Sequence, residues 1–133
     1  MKLNPDCVRD ILLSVEEICT SDRGMNYNGG SNDNPKLLNK YSCEEIIYHV
    51  QLCEKYGLIL NVNYRKDDSV HILIKDLSPQ GHTFIANVRK DDVWNETKSI
   101  AEKVGSLSLP TLAQISDNII TKRIESQTNL NYQ

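Results

Sequence analysis

The sequence predicts a mainly α protein with a small β-hairpin, an α+β fold with a winged-helix core and a C-terminal helical extension. Two amphipathic helices with complete start signals occupy the first half of the chain, at Asn4-Pro5 and at Ser42. The second stops at Gly57 and runs directly into alternating apolar residues, the pattern of a strand. Helical spacings then continue to about Ile124. A helix whose stop feeds a hairpin is the sequence form of a winged helix, in which the hairpin packs beside the recognition helix.

The first helix, residues 5–19, pairs a capping side chain with a proline whose fixed φ suits the first turn. Val8, Ile11, Leu12, Val15, Ile18 and Cys19 recur at spacings of three and four, while Asp6, Arg9, Asp10, Glu16 and Glu17 face water. Residues 20–35, TSDRGMNYNGGSNDNP, are rich in Gly and Asn and read as a mobile surface loop. Gly29-Gly30-Ser31 is no phosphate cradle, because neither a strand before it nor a helix with a Lys and a Ser or Thr after it is expected. Ser42 opens the second helix with a capping box closed by Glu45, and Tyr41 is placed to staple onto Ile46. Ile46, Ile47, Val50 and Cys53 form its inner stripe, widened by Leu52 and Tyr56, and Gly57 supplies a left-handed stop.

Leu58, Leu60, Val62 and Tyr64 alternate with Ile59, Asn61 and Asn63, and a partner strand follows at Val70, Ile72 and Ile74. The charged residues 65–69 make the tip, so the hairpin should carry one packed and one polar face. Leu77-Ser78-Pro79 starts a helix with Phe84, Ile85 and Val88, which Asp91-Asp92 interrupts or recaps. Val93, Thr97, Ile100, Ala101 and Val104 keep helical spacing to Gly105. A last helix from Leu109-Pro110 carries Leu112, Ile115, Ile119 and Ile120, and the residues after Ile124 read as a frayed tail. One domain over residues 1–126 is expected, with a flexible tail at 127–133.

At 133 residues the chain is long enough for one real core. Fifteen Lys and Arg stand against eighteen Asp and Glu, net −3, so no global positive field draws it to nucleic acid. No apolar run approaches the roughly 20 residues that span a bilayer, and the first ten residues have acid and proline where a signal peptide needs an apolar stretch. A membrane location is therefore not expected. Cys7, Cys19, Cys43 and Cys53 include no C-x-x-C pair, and with a reducing compartment they read as buried thiols. His49 and Cys53, four apart on one helix, would need Cys43 or His71 to complete a zinc site, and the second close-spaced ligand pair of such a site is missing. No metal and no cofactor is expected.

Catalytic spacing is also missing: the chain has no G-x-S-x-G and no H-E-x-x-H, and His82 has no nucleophile placed with it. A non-enzymatic binding role follows. For DNA, the helix after Ser42 offers three acids, Glu44, Glu45 and Glu54, against Lys55. His49 and Gln51 would read base edges, Arg65 and Lys66 would grip phosphates from the wing, and Lys36 and Lys40 would add to the patch. Asp67 and Asp68 offset the wing. The contacts are about half of the six or more that carry specific binding, so a protein partner is favoured and a DNA-binding regulator is the alternative. Trp94, Leu112, Ile115 and Ile119 are the candidate interface, and the two C-terminal helices are the expected seam of a homodimer.

Three stretches resemble a known family. They are MKLNPDCVRDIL at the start, YSCEEIIYHV ending in YGLI, and DLSPQGHTFI, whose Gly81-His82 helix start followed by VRKDDVW is the most specific part. Together they are similar to domain of unknown function 2513, over roughly residues 1–112. The resemblance implies a winged helix found largely in bacteria, phages and prophages, with no established shared activity, and a bacterial host cytoplasm as its place. Residues 20–35 are enlarged relative to that family.

Overall fold

Asn4 caps the first helix with its own side chain, whose Oδ1 accepts from the backbone N–H of Asp6 at 3.1 Å and of Cys7 at 3.4 Å. This helix, α1 (Pro5–Ile18), buries Cys7, Val8, Ile11, Leu12 and Val15 along one stripe and ends at an extended Cys19. The structure, a computed structural model, describes residues 1–131 and the side-chain surroundings of residues 1–129. Among these residues it is a mixed α+β protein of five α-helices and one three-stranded antiparallel sheet. The chain divides into two compact units, Met1–Ile85 and Ala86–Gln133, where the sequence reads as one domain over 1–126.

The segment expected as a mobile loop holds a strand, β1 (Met25–Asn28). Met25 and Tyr27 are buried and Asn26 is exposed, so the segment alternates like any half-buried strand. It pairs antiparallel with β3 (Val70–Leu77), Met25 opposite Ile74 and Asn28 opposite His71. On its other side β3 pairs with β2 (Ile59–Lys66), giving the order β1-β3-β2. Asn and Gly suggest a loop because they suit turns, but two inward side chains suffice for a short edge strand. A two-stranded hairpin is marginal alone, and the third strand supplies what it lacks. Gly24 permits the approach: a Cβ there would stand 2.7 Å from the Ile74 carbonyl oxygen.

β1 is an edge, and its outer side is closed by a side chain. The Asn28 N–H donates to Asn34 Oδ1 at 2.8 Å, and Asn34 Nδ2 donates to the Asn28 carbonyl at 2.8 Å, the two bonds a further strand would make.

The hairpin departs from strict alternation. Ile59 is 3% exposed and Leu60 44% exposed, the reverse of the expected order, whereas Val62 and Tyr64 do share the inward rows of Ile74 and Ile72. Asn61 is the cause: its φ of 52° is left-handed, which Asn tolerates better than most residues, and it switches the faces without changing the register.

α2 (Cys43–Lys55) has the full capping box, with Ser42 Oγ accepting from Glu45 N–H at 3.1 Å and Glu45 Oε1 from Ser42 N–H at 3.2 Å. Its stop delivers the chain to β2 through Gly57, at φ 70°, with the Leu58 N–H on the Cys53 carbonyl at 2.8 Å. The start of α3 (Pro79–Val88) is tied to this stop. Ser78 Oγ accepts from Gly81 N–H at 2.9 Å and donates to the Gly57 carbonyl, while Ser78 N–H donates to the Leu58 carbonyl at 3.0 Å.

In the second unit, α4 (Asp91–Val104) ends at Gly105, whose φ is 88°, and α5 (Leu109–Asn131) follows. Val93, Trp94, Thr97 and Ala101 of α4 and Leu109, Leu112, Ser116 and Ile119 of α5 are buried. Arg123 joins the two helices, with Nη1 on Asp92 at 2.9 Å and Nη2 on Glu96 at 3.3 Å. The last helix runs on to Asn131, past the end expected near Ile124, and no Gly or Pro follows Pro110 to break it. The last part of the expected tail, residues 132–133, lies outside the described residues. No described helix is long and apolar enough to cross a membrane.

Gly81 tests the junction of α2, β2 and α3. A Cβ at Gly81 would overlap the Leu58 carbonyl oxygen, a backbone atom held by Ser78. Gly81→Ala should therefore lower stability by about 3 kcal/mol, the upper range for overpacking, measured by urea unfolding. An unchanged midpoint would show that this junction has slack.

Candidate interaction surfaces

His49 is the clearest correction to the sequence reading. Rather than facing a base edge it is 1% exposed, and both ring nitrogens are engaged. The Asn4 N–H donates to Nε2 at 2.8 Å, so Nε2 is the acceptor and Nδ1 carries the proton that goes to the Glu45 carbonyl at 2.7 Å. The same bond uses the lone pair that a zinc ion would need. His49 ties α2 to the cap of α1, and Tyr48 packs edge-on against it with centroids 5.2 Å apart. A spacing pattern cannot distinguish this bolt from a reader.

Lys40 is bound to Asp10, Nζ to Oδ2 at 3.0 Å, and Tyr41 donates its hydroxyl to the same oxygen at 2.6 Å. Tyr41, expected as a hydrophobic staple, therefore serves Asp10, and burial together with that hydrogen bond holds its phenol protonated well above the ordinary range. Lys36 lies exposed at the start of a short 3-10 turn, Lys36–Leu38, and Gln51 is exposed on α2. Arg65 and Lys66 are exposed at the end of β2, with Arg65 Nε 3.9 Å from Asp67. These candidates thus sit on several elements rather than along one helix face. The outward face of α2 carries Glu44, Gln51, Glu54 and Lys55 exposed, with Ile47 and Tyr48 half-buried among them.

The outer face of the sheet was not singled out by the sequence. Residues opposite each other on neighbouring strands share a face, and the register gives two outward rows, Asn26–Leu73–Asn63 and Asn28–His71–Arg65. Lys75 continues the central strand and is exposed. His71 Nδ1 donates to Asn28 Oδ1 at 2.5 Å, so this row is fixed. The two rows and Lys75 contain no carboxylate. Arg23 and Asp22 stand beside them, lining one shallow hollow with Asn61, Asn63, Leu73 and Lys75.

The candidate interface in the second unit is largely core. Trp94, Leu112 and Ile119 are buried, and the Lys98 ammonium lies 5.5 Å from the centre of the Trp94 ring. Ile115 is half-buried, in a groove it lines with Ile100, Lys122 and Arg123. The apolar spacing that suggested an interface is consumed by the packing of α4 on α5.

Cys7 and Cys53 are enclosed thiols. Burial, with Glu45 and Asp10 adding to it, pushes Cys7 up to about 12, and burial also raises Cys53. Neither is a nucleophile at neutral pH. His82 is exposed on α3. No group of three His, Cys, Asp or Glu side chains among the described residues is placed to hold a metal ion.

Residues 2–108 match the model of a family described as a hypothetical protein, DUF2513. The chain is also similar to an uncharacterized protein of Haemophilus influenzae, 29% identical over 125 residues that cover 93% of this chain and 99% of that one. No solved structure matches.

Two outcomes test these assignments. His49→Ala should cost about 2–3 kcal/mol, since it leaves the Asn4 N–H and the Glu45 carbonyl without their partner, and an unchanged urea midpoint would refute the bolt. Burial, with Cys43 next in effect, raises Tyr27 from 10.0 to about 12. A phenol raised on folding stabilises fully below the unfolded value and ceases to as pH rises through the folded one. The phenolate absorbance lost in Tyr27→Phe should accordingly centre near 12, not 10, and wild-type stability should fall across that interval.

Proposed function

The chain belongs to the DUF2513 family, and from that footing we propose a non-enzymatic, cytoplasmic winged-helix module of phage or prophage type that binds a protein partner. Element order supports the winged-helix reading: a helix, a strand, a short helical turn, a helix and a hairpin, with the first strand joined to the hairpin's second strand. In this reading α2 is the recognition helix and β2 with β3 is the wing. The non-enzymatic reading is supported by two of the three histidines, since His49 is enclosed with both ring nitrogens engaged and His71 is held by Asn28.

The observation that carries the choice of partner is the outward face of α2. Approach to a duplex would press Glu44 and Glu54 toward phosphates with Lys55 as the helix's own cation, and His49 has no free nitrogen to offer a base. A protein surface accepts the same face, because Ile47 and Tyr48 give apolar area and the acids give a charged rim. DNA-binding regulation is the second reading, supported by exposed Gln51, Lys36, Arg65 and Lys66. A twofold contact along the C-terminal helices has half-buried Ile115 and exposed Ile124 to work with.

Fluorescence anisotropy of a mixed pool of labelled duplexes separates the readings. No saturable binding is expected at physiological salt. A photo-crosslinking residue at position 51 should in turn trap a discrete protein adduct in host cells, and Tyr48→Ala should abolish it. Duplex binding that strengthens at low salt and is lost in Arg65→Ala with Lys66→Ala would replace the protein reading with the regulator.

A further inference from the structure

The protein-binding reading leaves the partner's chemistry open, and the outer face of the sheet narrows it. We propose that this face docks an acidic polypeptide segment with an apolar side chain between its carboxylates, Leu73 seating the apolar group and Arg65 and Lys75 meeting the acids. The proposal rests on the protein-binding reading and adds a surface distinct from α2.

Charge is the first argument. The chain is acidic as a whole, net −3, yet the two outward rows and Lys75 carry Arg65, Lys75 and amides and no carboxylate of their own, with Asp67 beside Arg65 and Asp22 beside Lys75 at the margin. An acidic segment is favoured here and opposed by the acids of α2. Geometry is the second. Leu73, 37% exposed, lies midway along β3 between the His71–Arg65 row and Lys75, and four strand residues span about 13 Å. An extended segment repeats its side chains on one face every second residue, so an acid, an apolar residue and an acid at alternate positions match the three points. Asn26 and Asn63 flank Leu73 across the strands, and an amide can both donate to and accept from an extended backbone.

The face is also preorganised. Asn28 is held through its backbone by Asn34 and through its side chain by His71, so little ordering is left for binding. Single-stranded nucleic acid fits less well. Bases need a series of aromatic platforms to stack on, and of the two sheet tyrosines Tyr27 is buried, which leaves Tyr64 alone, 40% exposed. The cations near the face, Arg23, Arg65 and Lys75, fall short of the contacts that sustain phosphate binding.

The test is an NMR titration of the full isotope-labelled chain with a synthetic peptide of repeating Glu-Ser-Leu-Ser. Controls are the same peptide with Lys in place of Glu, and oligothymidylate. Amide shifts should appear at Asn26, Asn63, Arg65, Leu73 and Lys75, and affinity should fall as salt rises. Arg65→Glu with Lys75→Glu should weaken binding about tenfold or more, and Leu73→Ser should weaken it also, both with well-dispersed spectra showing an intact fold. The proposal is overturned by no shifts at millimolar peptide, by equal binding of the Lys peptide, or by oligothymidylate taking this face in preference. Shifts confined to α2 would overturn it too, while leaving a protein partner standing. A duplex held through Arg65 and Lys66 would instead sink the protein-binding reading itself.

Discussion

The pairing of Met25–Asn28 with β3 is the constraint on which the first unit depends. Without it the hairpin is two strands wide, and the β3 backbone groups that face β1 have no partner. With it, Met25 and Tyr27 enter the core beside Ile74 and Ile72, and the connection from α1 to α2 is held to the sheet at its middle. Cys19, just past the end of α1, adds a sulfur contact to the Ile74 carbonyl at 3.6 Å. The outward residues of this strand then complete an amide-rich face that two strands alone would not form. One short pairing thus sets the core on one side of the sheet and an amide-bearing polar face on the other.

Buried polar groups in this protein serve as fasteners. His49 joins α2 to the cap of α1, Asp10 gathers Tyr41 and Lys40, and Ser78 joins the stop of α2 to the start of α3. No described buried side-chain N or O lacks a partner, so each is stabilising rather than held in reserve for a ligand. Residues that look reactive by type are therefore the wrong place to seek function here. The exposed faces, where many polar side chains still meet solvent, are the better place.

Much of the fold was legible because its signals are local. Asn4-Pro5, Ser42 with Glu45, Gly57 and Gly105 each state a helix end within four residues, and the structure has those ends. What was not legible depends on distant partners. Residues 25–28 alternate apolar and polar, but only β3 makes that alternation a strand. Asn61 can be an ordinary strand residue or a left-handed one, and the choice exchanged Ile59 and Leu60 between faces. The candidate sites suffered more. Helical spacing put His49 and Gln51 on one footing, and only packing separates an enclosed ring from an exposed amide. Trp94, Leu112 and Ile119 followed an apolar stripe that the neighbouring helix covers. The sheet face was invisible for the opposite reason, since its residues are scattered over three strands and share no motif.

Asn28 precedes Gly29, the dipeptide in which an asparagine most readily cyclises to a succinimide and ages to aspartate or isoaspartate. Ring closure requires the Gly29 nitrogen to turn on the Asn28 side-chain carbonyl. Here that nitrogen's hydrogen is bound to the Val70 carbonyl at 2.8 Å, and the side-chain oxygen is held by His71. The bonds that finish the sheet are thus also a barrier to chemical decay, and what they protect is a neutral amide in a row with His71 and Arg65. Loosening of the β1 edge would convert that position to a negative charge with time, so an old, partly opened molecule would carry an acid where the fresh one carries an amide.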